Sequence, residues 1–311
     1  MWRTRLIGEQ PLLVILGPTS VGKTTLALGL AEYLPVEVVS ADSRQIYRYM
    51  DIGTAKPRSS ELAAVPHHCI DMVNPDENLS LALVKRAMTD AIDAIHGRGH
   101  LPLLVGGTGQ YISAVIDGWS IPEVPPNHVL RAELEAFAAE YGALALHDRL
   151  VTLDPAAAAT IPYQNVRRVI RALEVCLEAG QPITELQRKI PPPYDVVVWG
   201  LTLERDDLYV QADRRVEAMI EGGFVDEVRG LLASGYPRTL PSMSGLGYRE
   251  LAAHLEDGLP LSEAIVLTQN ATHDFIRRQY TWFRKMGERV VWHNGGALAV
   301  ETLIDTLPWQ W

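Results

Sequence analysis

The chain has 311 residues, 47% of them apolar and 21% charged, a composition of folded, water-soluble proteins that excludes collagenous and disordered chains. Its formal net charge of −10 excludes a general nucleic-acid coat, which needs many Lys and Arg near phosphates, while leaving room for local basic patches. The only cysteines, Cys69 and Cys176, lie far apart with no Cys-x-x-Cys. Neither a zinc ribbon nor a disulfide framework is expected, and both are read as buried thiols.

At the start, Leu12 to Leu16 is too short for a secretory core, and Arg3 and Arg5 are not read as a signal n-region. A cytoplasmic protein without membrane contact is expected. The Leu12 to Leu16 run predicts a strand, and Gly17-Pro18-Thr19-Ser20-Val21-Gly22-Lys23-Thr24 follows it directly. That octapeptide fits the phosphate loop G-x-x-x-x-G-K-[ST] in its required strand–loop–helix setting. Backbone N–H groups of such a loop, backed by the positive end of a helix, make a nest for a di- or triphosphate, ATP included. Lys23 adds a point charge, and Thr24 places a hydroxyl where Mg²⁺ is met.

Val36 to Ser40 predicts the second strand. Asp42 follows it, at the carboxyl edge where ligands of open α/β sheets collect, although helix capping would also explain an Asp there. Cys69 to Val73 is expected to be a strand. The adjacent His67, His68 and Asp71 favour a structural segment over a metal site, since neighbours on a strand face opposite ways. Leu101 to Val105 is another strand, and Gly106-Gly107-Thr108-Gly109 after it lets backbone come close to a substrate or simply turns the chain. This strand does not end in Asp and no Asn-Lys-x-Asp occurs, so the usual NTPase apparatus is incomplete and a GTPase switch is disfavoured.

Between Gly118 and Tyr194 strand signals stop, and proline clusters at Pro122, Pro125 and Pro126 and at Pro191 to Pro193 bracket the segment. An all-helical insertion is expected. Within it Val166, Val169, Ile170, Leu173 and Leu177 form one helical stripe, which turns Arg167, Arg168 and Arg171 outward. Val196 to Leu203 and Val290 to His293 complete the strands. Beyond Asp206 the chain is mostly helical, with a second basic patch at Arg277, Arg278, Arg284, Lys285 and Arg289. On the helix striped by Leu208, Ala212, Val216 and Met219, Arg215 falls at the stripe's edge and needs an anionic partner: Asp206, Glu221 or a bound polyphosphate. The expected fold is α/β: a P-loop core with a mostly parallel sheet covered by helices, plus an all-helical insertion domain. Boundaries fall at 1–118, 119–193 and 194–311.

The phosphate loop together with Ala41-Asp42-Ser43-Arg44-Gln45-Ile46-Tyr47 and Asp51-Ile52-Gly53-Thr54-Ala55-Lys56-Pro57 resembles the tRNA dimethylallyltransferases. The likeness continues through His67-His68-Cys69-Ile70-Asp71, Leu104 to Tyr111, Arg171 to Val175, Gly223 to Val228, Gly247-Tyr248-Arg249 and Arg278 to Phe283. The resemblance implies transfer of a five-carbon prenyl group from dimethylallyl diphosphate to N6 of the adenosine 3′ of the anticodon, with Mg²⁺ as cofactor and no ATP hydrolysed. It implies Asp42 as base, Thr19 and Arg215 on the diphosphate and Thr24 on Mg²⁺. Asp42, Ser43, Arg44, Gln45, Thr108, Gln164, Asn165, Val166, Arg167, Arg168, Ser244, Gly245, Leu246, Gly247, Tyr248, Arg249, Arg278, Gln279 and Trp282 are implied at the tRNA.

Gln211 and Ala212 depart from the family's frequent Arg-Ile, and the chain ends soon after its last motif, as in compact, bacterial-type members. A monomer gripping an anticodon stem-loop is expected. A small-molecule P-loop kinase, a prenyltransferase of free adenine nucleotides and a non-enzymatic nucleotide switch are the alternatives.

Overall fold

The computed structural model of the chain describes residues 10–296 and 299–309, so Arg3 and Arg5 lie outside the described residues. The described chain divides into two compact units, residues up to 116 with those from 193 onward, and residues 117–192.

The first unit begins with β1 (Pro11–Leu16), α1 (Lys23–Ala31), β2 (Val36–Ser40), α2 (Ser59–Ala64) and β3 (His67–His68). It continues with α3 (Leu81–Gly97), β4 (Leu101–Gly106) and α4 (Gly109–Ile116). The second unit holds α5 (His128–Tyr141), α6 (Ala143–Leu153), α7 (Pro155–Thr160), α8 (Val166–Ala179) and α9 (Ile183–Leu186). The chain then returns to the first unit with β5 (Asp195–Thr202), α10 (Arg205–Glu221), α11 (Phe224–Ala233), α12 (Tyr248–Asp257), α13 (Leu261–Phe283), β6 (Val290–Asn294) and α14 (Val300–Ile304).

All six strands run parallel in the order β3-β2-β4-β1-β5-β6. Side chains alternate across β1: Leu13 and Ile15 pack with Leu26, Leu30, Leu208 and Ile276 on one face. Leu12, Val14 and Leu16 pack with Met88, Ile92, Ile112 and Val115 on the other. Burial on both faces is why these strands read as unbroken apolar runs. The carboxyl ends of β2, β4 and β1 are neighbours in this order, so the loops at 17–22, 41–45 and 107–108 open onto one edge of the sheet. No helix among the described residues is long and apolar enough to cross a membrane.

Four expectations are corrected. The strand expected at Cys69 to Val73 is a bend after the short β3: Cys69 and Asp71 take φ of 62° and 52°, outside the extended region a ladder requires. The bend is held by the Asp71 N–H donating to the Gln45 carbonyl and by the Asp71 carboxylate on Lys56. Cys69 is only half-buried, whereas Cys176 is buried.

In the second unit, Leu177 is exposed, while Val169, Ile170, Leu173 and Cys176 carry the buried face of α8. Arg171 does not join an outward basic face. It and Arg131 both pair with the fully buried Glu174, at 2.5 and 2.7 Å, and Arg171 also donates to the Val124 carbonyl. Burial pushes the Glu174 carboxyl up, but hydrogen bonds from Arg131, Arg171 and the Asn127 N–H bring it below its ordinary value. A buried charge with its oxygens occupied is tolerated where an unpaired one is not.

Candidate active site

The octapeptide wraps the end of β1 and starts α1. Gly17 and Gly22 take φ of 156° and 98°, and an added Cβ on Gly17 would stand 2.7 Å from the Leu201 carbonyl oxygen. The loop therefore needs glycine at both places. Ser20 is also left-handed, with φ of 66°, and its hydroxyl is buried without a hydrogen-bond partner. Strain and an unpaired buried oxygen in one residue mark a loop shaped for a ligand rather than for its own stability. The N–H groups of Ser20, Val21 and Gly22 donate to no other described residue. The Thr19 N–H, expected in the same nest, donates instead to Gln279 Oε1 at 3.0 Å.

Lys23 Nζ donates to the Gly17 and Pro18 carbonyls at 2.9 and 2.8 Å. Burial, then the nearby Arg215, bring its pKa down from 10.5 to about 7, with Asp42 opposing them. Arg215 is half-buried, and burial lowers its pKa against the raising effect of Asp42. The carboxylate whose charge acts on it is Asp42, not the Asp206 or Glu221 offered in sequence. Asp42, Lys23 and Arg215 form one electrostatic group.

Asp42 Oδ1 accepts the Arg44 N–H at 2.8 Å, an Asx turn that leaves its other oxygen without a partner among the described residues. The flanking backbone is pinned by Thr108, whose N–H donates to the Ala41 carbonyl and whose Oγ1 accepts the Ser43 N–H. The close approach depends on glycine, since a Cβ on Gly106 would stand 2.2 Å from the Ala41 oxygen. Arg44 reaches across to the Pro241 and Ser242 carbonyls and to Ser244 Oγ.

These groups line one cavity of about 770 Å³, within the usual range for small-molecule sites. It takes in residues 19–25 and 42–45, Gly107, Arg214, Arg215, residues 244–246, Tyr248, Arg278 and Gln279. Val216, Met219 and Phe224 give it an apolar wall, and Asp42 is the sole carboxylate among its described lining residues, which also include Lys23, Arg44, Arg214, Arg215 and Arg278. Gly247, Thr108, Arg249 and Trp282 are outside the lining. Gln164, Asn165, Val166, Arg167 and Arg168 belong to the other unit, where Asn165 caps α8 and both arginines are exposed.

Several expected RNA contacts are engaged elsewhere. Tyr248 is buried, stacks edge-on against Phe224 and donates its hydroxyl to Glu227, which also receives the N–H groups of Asp51, Ile52 and Gly53. Burial, then Glu227, hold its pKa well above 10. Gly247 needs φ of 82° beside the Phe224 ring, and Gly245 is buried. Gln45 spends its amide on Ser40, Thr54 and Ala55, and Gln279 is buried between two loops. Trp282 packs where a Cβ of Gly109 would be and bonds Ser113. In the second basic patch, Arg277 pairs with Asp274, while Arg278 is exposed over Phe275. Of the departures, Gln211 is exposed and Ala212 is core.

Sequence comparison finds a family model described as IPP transferase over residues 45–286, and one described as isopentenyl transferase over residues 10–73. A tRNA dimethylallyltransferase of Roseiflexus sp. (strain RS-1) is 55% identical over 276 residues, covering 89% of this chain and 90% of that protein. The chain belongs to the tRNA dimethylallyltransferase family. A family member from Chloroflexus aggregans is 52% identical over 281 residues, 90% of this chain and 95% of its own length. The crystal structure of a full-length tRNA isopentenylpyrophosphate transferase from Bacillus halodurans superposes with a TM-score of 0.70 at 42% identity, covering 96% of this chain and 94% of that one.

The donor set is compatible with the Mg²⁺ that the resemblance implies. No group of three or more His, Cys, Asp or Glu gathers among the described residues, while Thr24 belongs to the cavity lining. Mg²⁺ accepts such a site because it keeps several waters and takes other oxygens from substrate phosphates.

Proposed function

We propose that this chain transfers the dimethylallyl group of dimethylallyl diphosphate to N6 of the adenosine on the 3′ side of the tRNA anticodon, releasing diphosphate. The observation that carries the reading is the single carboxylate set among cations in one cavity with the phosphate loop. A leaving diphosphate must be neutralised, and the loop amides of Ser20 to Gly22, Lys23 and Arg215 do this without a water-activating group. Thr24 would hold Mg²⁺, which would supply further charge to the same anion.

As the carbon–oxygen bond of the donor breaks, its electron pair leaves with the diphosphate, and the N6 lone pair forms the new carbon–nitrogen bond. That nitrogen is delocalised into the purine ring, so a base takes its proton as the bond forms; the free oxygen of Asp42 is the acceptor. The apolar wall of Val216, Met219 and Phe224 suits a prenyl tail. A kinase of a small metabolite would use the same loop, but the family membership and the exposed Arg167 and Arg168 favour RNA.

Arg167, Arg168, Gln164 and Asn165 on the helical unit, with Arg44, Ser244, Leu246, Arg249 and Arg278 on the core, are the proposed tRNA contacts. Shape and unpaired-base contacts then draw the target adenosine from its loop. Because the phosphate loop, Asp42 and Arg215 come from one compact unit, a monomer suffices. Mass spectrometry of tRNA nucleosides after incubation with dimethylallyl diphosphate and Mg²⁺ tests the reading. Prenylated adenosine is expected, and an unmodified nucleoside pool contradicts it.

A further inference from the structure

We propose that Gln279 is a positioning residue that sets the spacing between the leaving-group loop and the base. The inference rests on the prenyl-transfer reading above. Gln279 lies on α13, only 5% exposed, some 260 residues in sequence from its partner Thr19. Its Oε1 accepts the Thr19 N–H at 3.0 Å and its Nε2 donates to the Gly107 carbonyl at 3.1 Å. One partner is a donor and the other an acceptor, so the network fixes the orientation of the amide. The fit is tight: a Cβ on Gly107 would stand 2.2 Å from Nε2.

From Gly107 the path continues without a gap. Thr108 is the next residue, and its N–H and hydroxyl hold the backbone on both sides of Asp42. The phosphate loop is thereby tied through one side-chain amide and one threonine to the loop that carries the base. Both reacting ends of the transfer, the departing oxygen and the accepting carboxylate, hang on this tie. A misplacement of about 1 Å between reacting groups can cost on the order of 100-fold in rate. Gln279 touches no reacting atom in this scheme, and its burial between the loops sets it apart from the exposed Arg278 beside it.

The test measures prenyl transfer at saturating donor and tRNA for wild type, Q279A and Q279E, with separate equilibrium binding of dimethylallyl diphosphate and of an anticodon stem-loop. Q279A is expected to lose roughly 10- to 100-fold in kcat, with both dissociation constants within about threefold of wild type. In Q279E an ionised carboxylate still accepts from Thr19 but opposes the Gly107 carbonyl, so at pH 8 it should be as slow as Q279A. Protonated, it regains one acceptor and one donor. The kcat ratio of Q279E to Q279A should therefore rise about tenfold or more as pH falls to 5.5, any pH effect common to both variants cancelling in the ratio.

A wild-type kcat in Q279A with a raised KM for tRNA would make Gln279 an RNA contact and overturn the proposal, as would a ratio that stays flat with pH. If Q279A does not fold, the pH profile of Q279E relative to wild type decides in the same way. A wild type that makes no prenylated tRNA overturns the reaction assignment. A working wild type without these variant signatures overturns only the role of Gln279.

Discussion

Lys23 gives the sharpest prediction, because its charge state is set by the same groups that bind the donor. In the free protein burial and Arg215 hold its pKa at about 7, so at pH 8.5 only about one Lys23 in 30 carries a proton. A bound diphosphate reverses the balance by placing negative charge beside the amine, and the bound pKa returns toward or beyond the ordinary 10.5. Donor binding must then take up about half a proton at pH 7 and close to one at pH 8.5. Between pH 7 and 8.5 the dissociation constant should weaken by about 16-fold, the ratio of protonated fractions.

Isothermal titration calorimetry of dimethylallyl diphosphate in two buffers of different ionisation enthalpy measures this uptake directly. The donor's own last proton leaves near pH 6 or so, as in other phosphate esters, and interferes little at pH 8.5. K23M should abolish both the uptake and the pH slope. Proton uptake near zero at pH 8.5, or an affinity flat from pH 7 to 8.5, refutes the reasoning. The same shift has a stability sign. The unfolded chain binds this proton more tightly, so the contribution of Lys23 to the free protein's stability improves as pH rises from about 7 toward 10.5.

Asp42→Asn should leave donor affinity nearly unchanged while kcat falls on the order of 10²- to 10⁴-fold, the range for loss of a general base; single-turnover kinetics check it, and full turnover removes the assigned role. Glu174→Ala should destabilise the helical unit by about 2–4 kcal/mol, since Arg131 and Arg171 lose their buried partner but remain a third exposed, at 34% and 35%. Thermal unfolding measures it. The stabilisation from Glu174 is present above its ordinary pKa and is lost as pH falls below it, because the folded-state value is depressed. Arg167→Ala with Arg168→Ala should weaken tRNA binding and reduce its log–log salt slope by about 1–2, read by filter binding across a salt series; an unaltered slope returns that face to ordinary solvation.

The phosphate loop was legible in sequence because its chemistry is local: a strand, eight residues and a helix start lie within one window. The strands that became β1, β2 and β4 were legible for the same reason, since burial on both faces writes an apolar run, whereas the more exposed β6 was legible from its β-branched and aromatic residues. Cys69 to Val73 looks like those runs, but its conformation is set by Lys56 and Gln45, which no local pattern reveals.

Arg171 misled in a related way. Arg171 stands beside two exposed arginines on a helix, yet a buried Glu174 three residues on draws it inward. Tyr248 lines the cavity as its motif implied, but that its hydroxyl is spent on Glu227 is equally invisible in the local pattern. Gln279 was legible only as part of a motif. That its amide joins Thr19 to Gly107 depends on loops brought together by the strand order, which sequence spacing does not encode.

The central claim is that the phosphate loop clasps a diphosphate leaving from carbon while Asp42 removes the proton of the accepting nitrogen. Dimethylallyl diphosphate labelled with ¹⁸O at the oxygen joining carbon to phosphorus tests it most directly, with tRNA as acceptor and mass spectrometry of both products. Carbon–oxygen cleavage predicts the label wholly in the released diphosphate and a five-carbon gain on adenosine without ¹⁸O. Label retained on the prenyl product, or phosphate transferred to any acceptor, contradicts the account.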